Sequence, residues 1–537
     1  MPSILRSKVY NYLTEFFAGM SVMAVELAAS RFLAPYFSSS QIVYTIIIGT
    51  VMIAMALGNL WGGKTADRNP DPAVLYRRML IAGAWIAAIP FFGRYAVLGI
   101  SGLLILTVNT GFLTVAAFTA CMVVFVFPLF LLGTVTPSLV RYLMESTEQS
   151  GTTVGRLGAF NTVGSIIGTF LPTFVTIPAV GTAATFLIFA SVLMILAILY
   201  FVSVRKFPVV LWITVAVFLI STVLGTRVSF AFWTDSLSYE GESVYNYLQV
   251  EETETRIVLS TNVLFGVQSV KMKTDGLTGM YYDYDLAAPA MAAAAAEKQP
   301  EDLRILILGN GTGTYASQCT RFFPGCEVEG VEIDGKISDL AYRYFDMPSS
   351  VRLTEYDGRA FLQATDGRYD VILVDAYQDI TIPFQMSTVE FFAEAKDHLS
   401  PGGILVVNMN MHSDGDGSIN EYLTDTILSL FPYGSLIDVQ GYSGRELFAT
   451  VSEDPEQLLI RALPETRDPL LHAQLQLVLS GLEPAQKTGK GYLLTDDRAP
   501  VEMLGMQTIE RIIAEELSYY KDVFEKYGIR GILNAVS

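Results

Sequence analysis

Residues 304–314 read RILILGNGTGT, a short apolar run that breaks into alternating glycines. Ile305–Leu308 suits a strand buried on both faces. Gly309, Gly311 and Gly313 let the chain turn tightly, approach a ligand and open a helix near residue 313. A second run, 327–333, ends in VEID and places Glu332 23 residues after Gly309, where an acid can bind both hydroxyls of a ribose. The glycine turn alone is a weak signal; with that acid at that spacing it predicts a nucleoside ligand. The turn carries no basic group, which suits an adenosine-type sulfonium better than a pyrophosphate. Further strand patterns at 369–374 and 404–409 alternate with helical ones. Such alternation predicts a parallel, doubly wound α/β sheet of Rossmann type.

Two more acids fall at strand ends. Asp357-Gly358 follows the third strand pattern, where the carboxylate can accept from an adenine amino group. Asp375 closes the fourth, VILVDAYQD, at the carboxyl edge where open sheets bind ligands. A strand-end Asp is also a common helix or turn cap. Upstream, the runs YNYLQVEE, RIVLS and VQSVKM alternate polar and apolar residues across 240–275, predicting a small antiparallel sheet. Residues 284–297 (YDLAAPAMAAAAAE) read as an alanine-rich helix with Pro289 interrupting an early turn.

The chain around this unit has 537 residues, 51% of them hydrophobic and only 16% charged. That excludes a disordered chain and argues against a wholly soluble enzyme. Charge is split: residues 1–226 hold 12 Lys+Arg and 6 Asp+Glu, leaving a net −24 on residues 227–537. An acidic domain disfavours nucleic acid and suits a cationic substrate, although acidity also simply aids solubility. Cys121, Cys319 and Cys326 form no disulfide framework and the three histidines lie far apart, so no metal site is expected.

Uncharged stretches near 11–31, 42–62, 79–93, 112–136, 157–177, 183–203 and 207–226 are long enough to cross a bilayer, and no cleavable leader stands out. Residues 95–140 carry no charge and have room for two short spans around Asn109-Thr110-Gly111, so the count is seven or eight. Seven spans satisfy the positive-inside rule and put the acidic domain outside; eight return it to the cytoplasm. GNLWGGKTADR at 58–68 resembles the loop between spans two and three of major-facilitator transporters, which gives the bundle a half-transporter character. LGAFNTVGSIIG at 157–168 has small residues for close helix packing. Glu26, inside the first span, should face a partner such as Arg31 or a cavity for substrate passage. The expected units are 1–226, transmembrane; 227–300, a β-rich subdomain; and 301–537, the Rossmann-like domain.

The motifs ESVY (242–245), ILILGNGTGT, VEID, YDGRAF, YDVILVDAYQD and LTDDRAPVE (494–502) together resemble the spermidine synthase (polyamine aminopropyltransferase) family, over roughly 240–505. ASRFLAPYF and GNLWGGKTADR are similar to the membrane part of its membrane-fused bacterial branch. The resemblance implies a methyltransferase-type Rossmann sheet and transfer of an aminopropyl group from decarboxylated S-adenosylmethionine to a polyamine such as putrescine, with release of methylthioadenosine. By motif, Glu332 would hold the ribose, Asp357 the adenine and Asn246 the nucleoside, while Asp375 would assist deprotonation of the attacking amine. Tyr282 and Asp283 fall near the family's tyrosine-containing polyamine segment, and Tyr245 and Asp379 complete the implied substrate side. A homodimer in a bacterial plasma membrane, with a cytoplasmic sheet domain, fits the same resemblance. The family's glycine turn carries an Asp where this chain has Thr312. That departure keeps two alternatives open: an alkyl- or methyltransferase using intact S-adenosylmethionine, and a non-enzymatic transporter or sensor gated by a nucleoside or polyamine.

Overall fold

The computed structural model describes all residues except 1–6, 38–39, 106–107, 109–110, 145–149, 226–228, 232–233, 235, 263–266, 377–381, 414, 515–517, 519–522, 524–525 and 527–537. Its first part is a bundle of apolar helices: α1 (Lys8–Phe37), α2 (Gln41–Arg68), α3 (Pro72–Ile105), α4 (Phe112–Val124), α5 (Val126–Gly133), α6 (Val135–Leu143), α7 (Ser150–Leu171), α8 (Ile177–Ser203) and α9 (Val209–Gly225). Among the described residues, five helical stretches are long and apolar enough to cross a membrane, while Phe112–Val124 and Val209–Gly225 are shorter apolar helices. The stretch 95–140 differs from the two short spans expected: its first part completes α3, and α4, α5 and α6 follow almost without a break. The outward face is apolar as well. Met52, Leu60, Phe170, Phe174 and Trp212 are each about 60% exposed, a surface that water alone does not favour.

Of the glycines expected to let helices approach closely, Gly164 and Gly168 do so, whereas Gly158 has no neighbour within 4 Å of where a Cβ would sit. A Cβ at Gly164 or Gly168 would lie 2.0 Å from Phe16 O or 2.1 Å from Met20 O, so α7 meets α1 backbone to backbone. The expected Glu26–Arg31 pair does not form. Five residues apart, the two point to different sides of α1, and Arg31 Nη1 donates to Tyr245 O instead (3.0 Å).

The second part opens with a four-stranded antiparallel meander, β1 (Leu237–Glu242), β2 (Tyr247–Glu252), β3 (Arg256–Ser260) and β4 (Ser269–Met272). The alanine-rich stretch splits into α10 (Tyr281–Asp285) and α11 (Ala287–Ala296), with Pro289 in the first turn of α11, where its missing N–H has no intrahelical partner to lose. There follow β5 (Arg304–Leu308), α12 (Thr314–Phe322), β6 (Glu327–Glu332), α13 (Gly335–Tyr344), β7 (Arg352–Glu355), α14 (Gly358–Ala364), β8 (Tyr369–Val374), α15 (Val389–Asp397), β9 (Leu399–Asn408), α16 (Ile419–Leu428), β10 (Tyr433–Asp438), β11 (Arg445–Thr450), α17 (Pro455–Ala462), α18 (Pro469–Gly481) and the two-residue β12 (Glu483–Pro484).

These strands form one sheet in the order β12-β10-β11-β9-β8-β5-β6-β7. From β7 to β9 it is parallel; β10, β11 and β12 are antiparallel. The alternating pattern pointed to the parallel strands but not to this antiparallel edge, where the six residues 439–444 between β10 and β11 leave room for a hairpin turn and none for a crossover helix. Period-two alternation sorts the core. Ile305, Ile307, Val371, Leu373, Ile404 and Val406 pack on one face, and Leu306, Leu308, Ile372, Val374, Leu405 and Val407 on the other. Both faces are thus covered, and the carboxyl ends of β5, β6 and β8 open into a crevice where the strand order reverses.

Candidate active site

The crevice is a cavity of about 320 Å³, at the small end of the range for small-molecule sites. Its floor is the turn after β5. Gly309 takes φ +94°, and a Cβ there would sit 2.4 Å from Asp375 O. Only glycine lets β5 run this close to the end of β8. Gly309 N and Asn310 N both donate to Val331 O (2.9 Å), which ties the turn to β6. Gly311 also lines the cavity, whereas Gly313 is the N-cap of α12 and Thr312 is fully buried with its hydroxyl unpartnered.

Glu332, at the end of β6, is held by backbone alone. Its Oε2 accepts from Gly311 N (2.9 Å) and its Oε1 from Asp334 N (3.0 Å). Burial pushes its carboxyl up to about 7 against these two bonds. Asn246 lines the same wall and spends its Nδ2 on Asp334 Oδ2 (3.0 Å), which also receives Ser243 Oγ (2.5 Å). Asp357 is both a cap and a wall residue: its Oδ1 accepts from Ala360 N (2.9 Å) at the start of α14, and Gly358 lies beside it.

At the far end stands Asp375. Its Oδ2 accepts from Tyr281 Oη and its Oδ1 from Asn408 Nδ2, both at 2.8 Å. Loss of hydration pushes its carboxyl up to about 7, where a base is half-ionised near neutral pH. Burial and the Asp375 charge raise the Tyr281 phenol well above its usual range, so it stays a donor. Neither Tyr281 nor Asn408 was singled out in the sequence. The tyrosine doublet was read at Tyr282, but one residue turns a helix by about 100°. Tyr282 lines the cavity with its hydroxyl receiving Val270 N (2.8 Å), which pins α10 to β4. Asn408 had a signal, since it ends β9 beside β8 on the carboxyl edge.

The structure also separates some expected residues. Asp283 is buried away from the cavity wall, accepting from Gly279 N (2.6 Å), Thr278 Oγ1 (2.9 Å) and Gln318 Nε2 (2.5 Å). Asp379 lies outside the described residues. Tyr245 lines the mouth together with Glu502, which accepts from Gln41 N (3.0 Å) at the start of α2. From the same late motif, Asp496 instead binds the Arg359 guanidinium through both oxygens (2.7 and 2.9 Å). Among the described residues, no group of three or more His, Cys, Asp or Glu is placed to hold a metal ion.

Fold and site together define a Rossmann-like α/β domain with an acid-lined crevice, carried on an apolar helical bundle. Residues 287–423 match the model of the spermine/spermidine synthase domain. The chain is 48% identical over 354 residues to a probable polyamine aminopropyl transferase of Bifidobacterium longum, covering 63% of this chain and 78% of that protein. Over 198 residues it is 31% identical to a polyamine aminopropyltransferase of Vibrio vulnificus, covering 35% of this chain and 65% of that one. The chain belongs to the polyamine aminopropyltransferase family.

Proposed function

We propose that the protein transfers an aminopropyl group from decarboxylated S-adenosylmethionine to a polyamine such as putrescine and releases methylthioadenosine. The observation that carries this reading is Asp375, a carboxyl pushed up to about 7 in a cavity that Glu332 also lines. Glu332 would take the ribose hydroxyls on its remaining lone pairs, with Asp357 and Asn246 beside the base. An alkyl ammonium with a pKa of about 10.4 is only about one part in a thousand neutral near pH 7. Asp375 would accept its proton, and the freed nitrogen would attack the carbon next to the sulfonium. The C–N bond forms as the C–S bond breaks, and the C–S electrons stay on sulfur as a neutral thioether. Tyr281 and Asn408 hold the carboxylate in place for that transfer, while alignment in the narrow cavity supplies much of the remaining acceleration. Purified protein given the donor and putrescine should release methylthioadenosine, and Asp375→Asn should lower kcat by about 10²–10⁴. A protein that binds the donor yet yields no product with any amine ends this reading, and methyl transfer from intact S-adenosylmethionine in the same assay would replace it.

We further infer how the bundle sits in a bacterial plasma membrane. Arg31 binds Tyr245, Gln41 binds Glu502, and Glu242 receives Thr182 N and Oγ1 (both 2.6 Å), so the sheet domain rests on one end of the bundle. At the opposite end Arg141 pairs with Asp67 (3.7 Å) and Tyr76 stacks on Tyr200 (4.3 Å). Helix polarity places Lys8, Lys64, Arg68, Arg77, Arg78, Arg141, Arg156, Arg205 and Lys206 there, against Arg31 and Arg94 at the domain end. The positive-inside rule then puts the basic end in the cytoplasm and the acidic domain on the outer face, where its field attracts cationic amines. An impermeant maleimide should label Asp366→Cys in intact cells of a Cys326→Ser background; labelling only after permeabilisation reverses the orientation.

A further inference from the structure

Behind the Asp375 end of the cavity, α10 and β11 bring two more acids together. Asp285 and Glu446 are both 0% exposed. Their carboxyls lie close enough to share a proton, and among the described residues no N–H or O–H group reaches any of the four oxygens. Arg445, the neighbour of Glu446, turns away to Asp438 (2.6 Å). Facing the pair are Asp375, Asp283, Tyr281, the Cys319 thiol and Tyr315, whose hydroxyl donates to the Asp285 carbonyl (3.1 Å). Not one of these is a cation.

Packing does not explain the pair. The neighbours in sequence, Leu286, Ala287, Leu447 and Phe448, are fully buried and apolar, and apolar side chains at 285 and 446 would avoid the penalty of burying carboxyls without a counter-charge. Placement gives it a purpose. Tyr281 and Asp285 are four residues apart on α10 and so share a side of the helix, and the same Tyr281 hydroxyl binds Asp375. The pair also lies close enough to Asp375 for their charges to interact.

We propose that Asp285 and Glu446 determine specificity, as a further layer of negative charge that favours ligands placing an ammonium or sulfonium above Asp375 over neutral ligands of the same outline. The proposal rests on the aminopropyl-transfer reading for the identity of that cation. Burial raises both carboxyls well above their usual range, helped by the charge of Asp375 at Asp285 and by those of Asp285 and Asp375 at Glu446, so without a ligand the pair keeps its protons. A cation bound above Asp375 makes it favourable to release one.

Calorimetry with decarboxylated S-adenosylmethionine and with neutral methylthioadenosine tests this. Asp285→Asn/Glu446→Gln should weaken the cationic donor at least tenfold and methylthioadenosine less than twofold. Equal loss for both, or none for either, overturns the proposal. Methylthioadenosine binding serves as the folding control, and the unaltered protein gives a second measurement if the variant fails it. At pH 8.5 Asp375 and Glu332 are already ionised, so the donor should expel more protons than methylthioadenosine; equal counts are fatal to the idea. The two readings fail separately. Turnover with pair-independent donor binding removes only the pair's role, whereas pair-dependent binding without product removes only the transferase.

Discussion

The two ends of the cavity hold their acids by different means. Glu332 is fixed by two backbone N–H groups from residues within about twenty positions of itself. Asp375 is fixed by two side chains, from residues 94 positions before it and 33 after it. The first arrangement is a property of a turn and a strand end; the second exists only once α10, β8 and β9 have assembled. Of all substitutions only proline removes a backbone donor, so the Glu332 end resists variation. The Asp375 end can be retuned one residue at a time, as the proposed choice among amines would require.

The largest effect of this difference should be in the pH dependence of turnover. Asp375 must be ionised to take a proton, and its carboxyl is pushed up to about 7. Activity at saturating substrates should therefore rise as pH rises through about 7, falling close to tenfold per unit below it. Tyr281→Phe removes one bond that favours the carboxylate, so the acid limb should move to higher pH while the plateau survives. A plateau lost with the limb in place would mean that Tyr281 touches the reacting atoms itself.

Glu332 predicts a smaller effect, on binding alone. In the proposed complex ribose hydroxyls would donate to the ionised carboxylate, and burial pushes this acid to about 7 as well. Methylthioadenosine affinity should therefore fall as pH drops below 7, and Glu332→Ala should weaken it by about ten- to a hundredfold, the worth of hydrogen bonds to a charged acceptor. The cationic donor should lose a similar factor, because both ligands carry the same ribose. Loss for the donor alone would move Glu332 to the other end of the cavity.

The same contrast explains what the sequence made legible. The glycine turn, the strand-end Glu332 and the strand-end Asp375 are each written in a few consecutive residues, and the parallel strands followed from apolar runs that the structure buries on both faces. Tyr281, Asn408, Asp285 and Glu446 meet only through pairing and helix docking, and nothing local marks them. Asp375 could be found without its partners; its partners could not be found without the sheet order. In the bundle, the glycines at 164 and 168 were legible as packing residues, but which helix they would meet was not. The end of the bundle that carries the sheet domain was equally hidden, since span counting says how often the chain crosses and not what rests on either end.

The smallest effect on catalysis is expected from Asp283, which the family motif places with the polyamine and the structure places among loop donors. Its carboxyl gathers Thr278, Gly279 and Gln318, closing the segment that leads into α10. Burial raises this acid above its usual range while those three donors pull it down, the balance of a group chosen to accept rather than to react. Asp283→Asn keeps one accepting oxygen and sets an amide against a donor at the other. It should lower stability by about 1–3 kcal/mol, the cost of leaving a buried donor unpaired, visible as a drop in Tm. Amine KM and kcat should stay within twofold, because no atom of Asp283 reaches the cavity wall. A tenfold rise in amine KM at unchanged Tm would instead place Asp283 on the substrate, and α10 would then present both of its faces to the site.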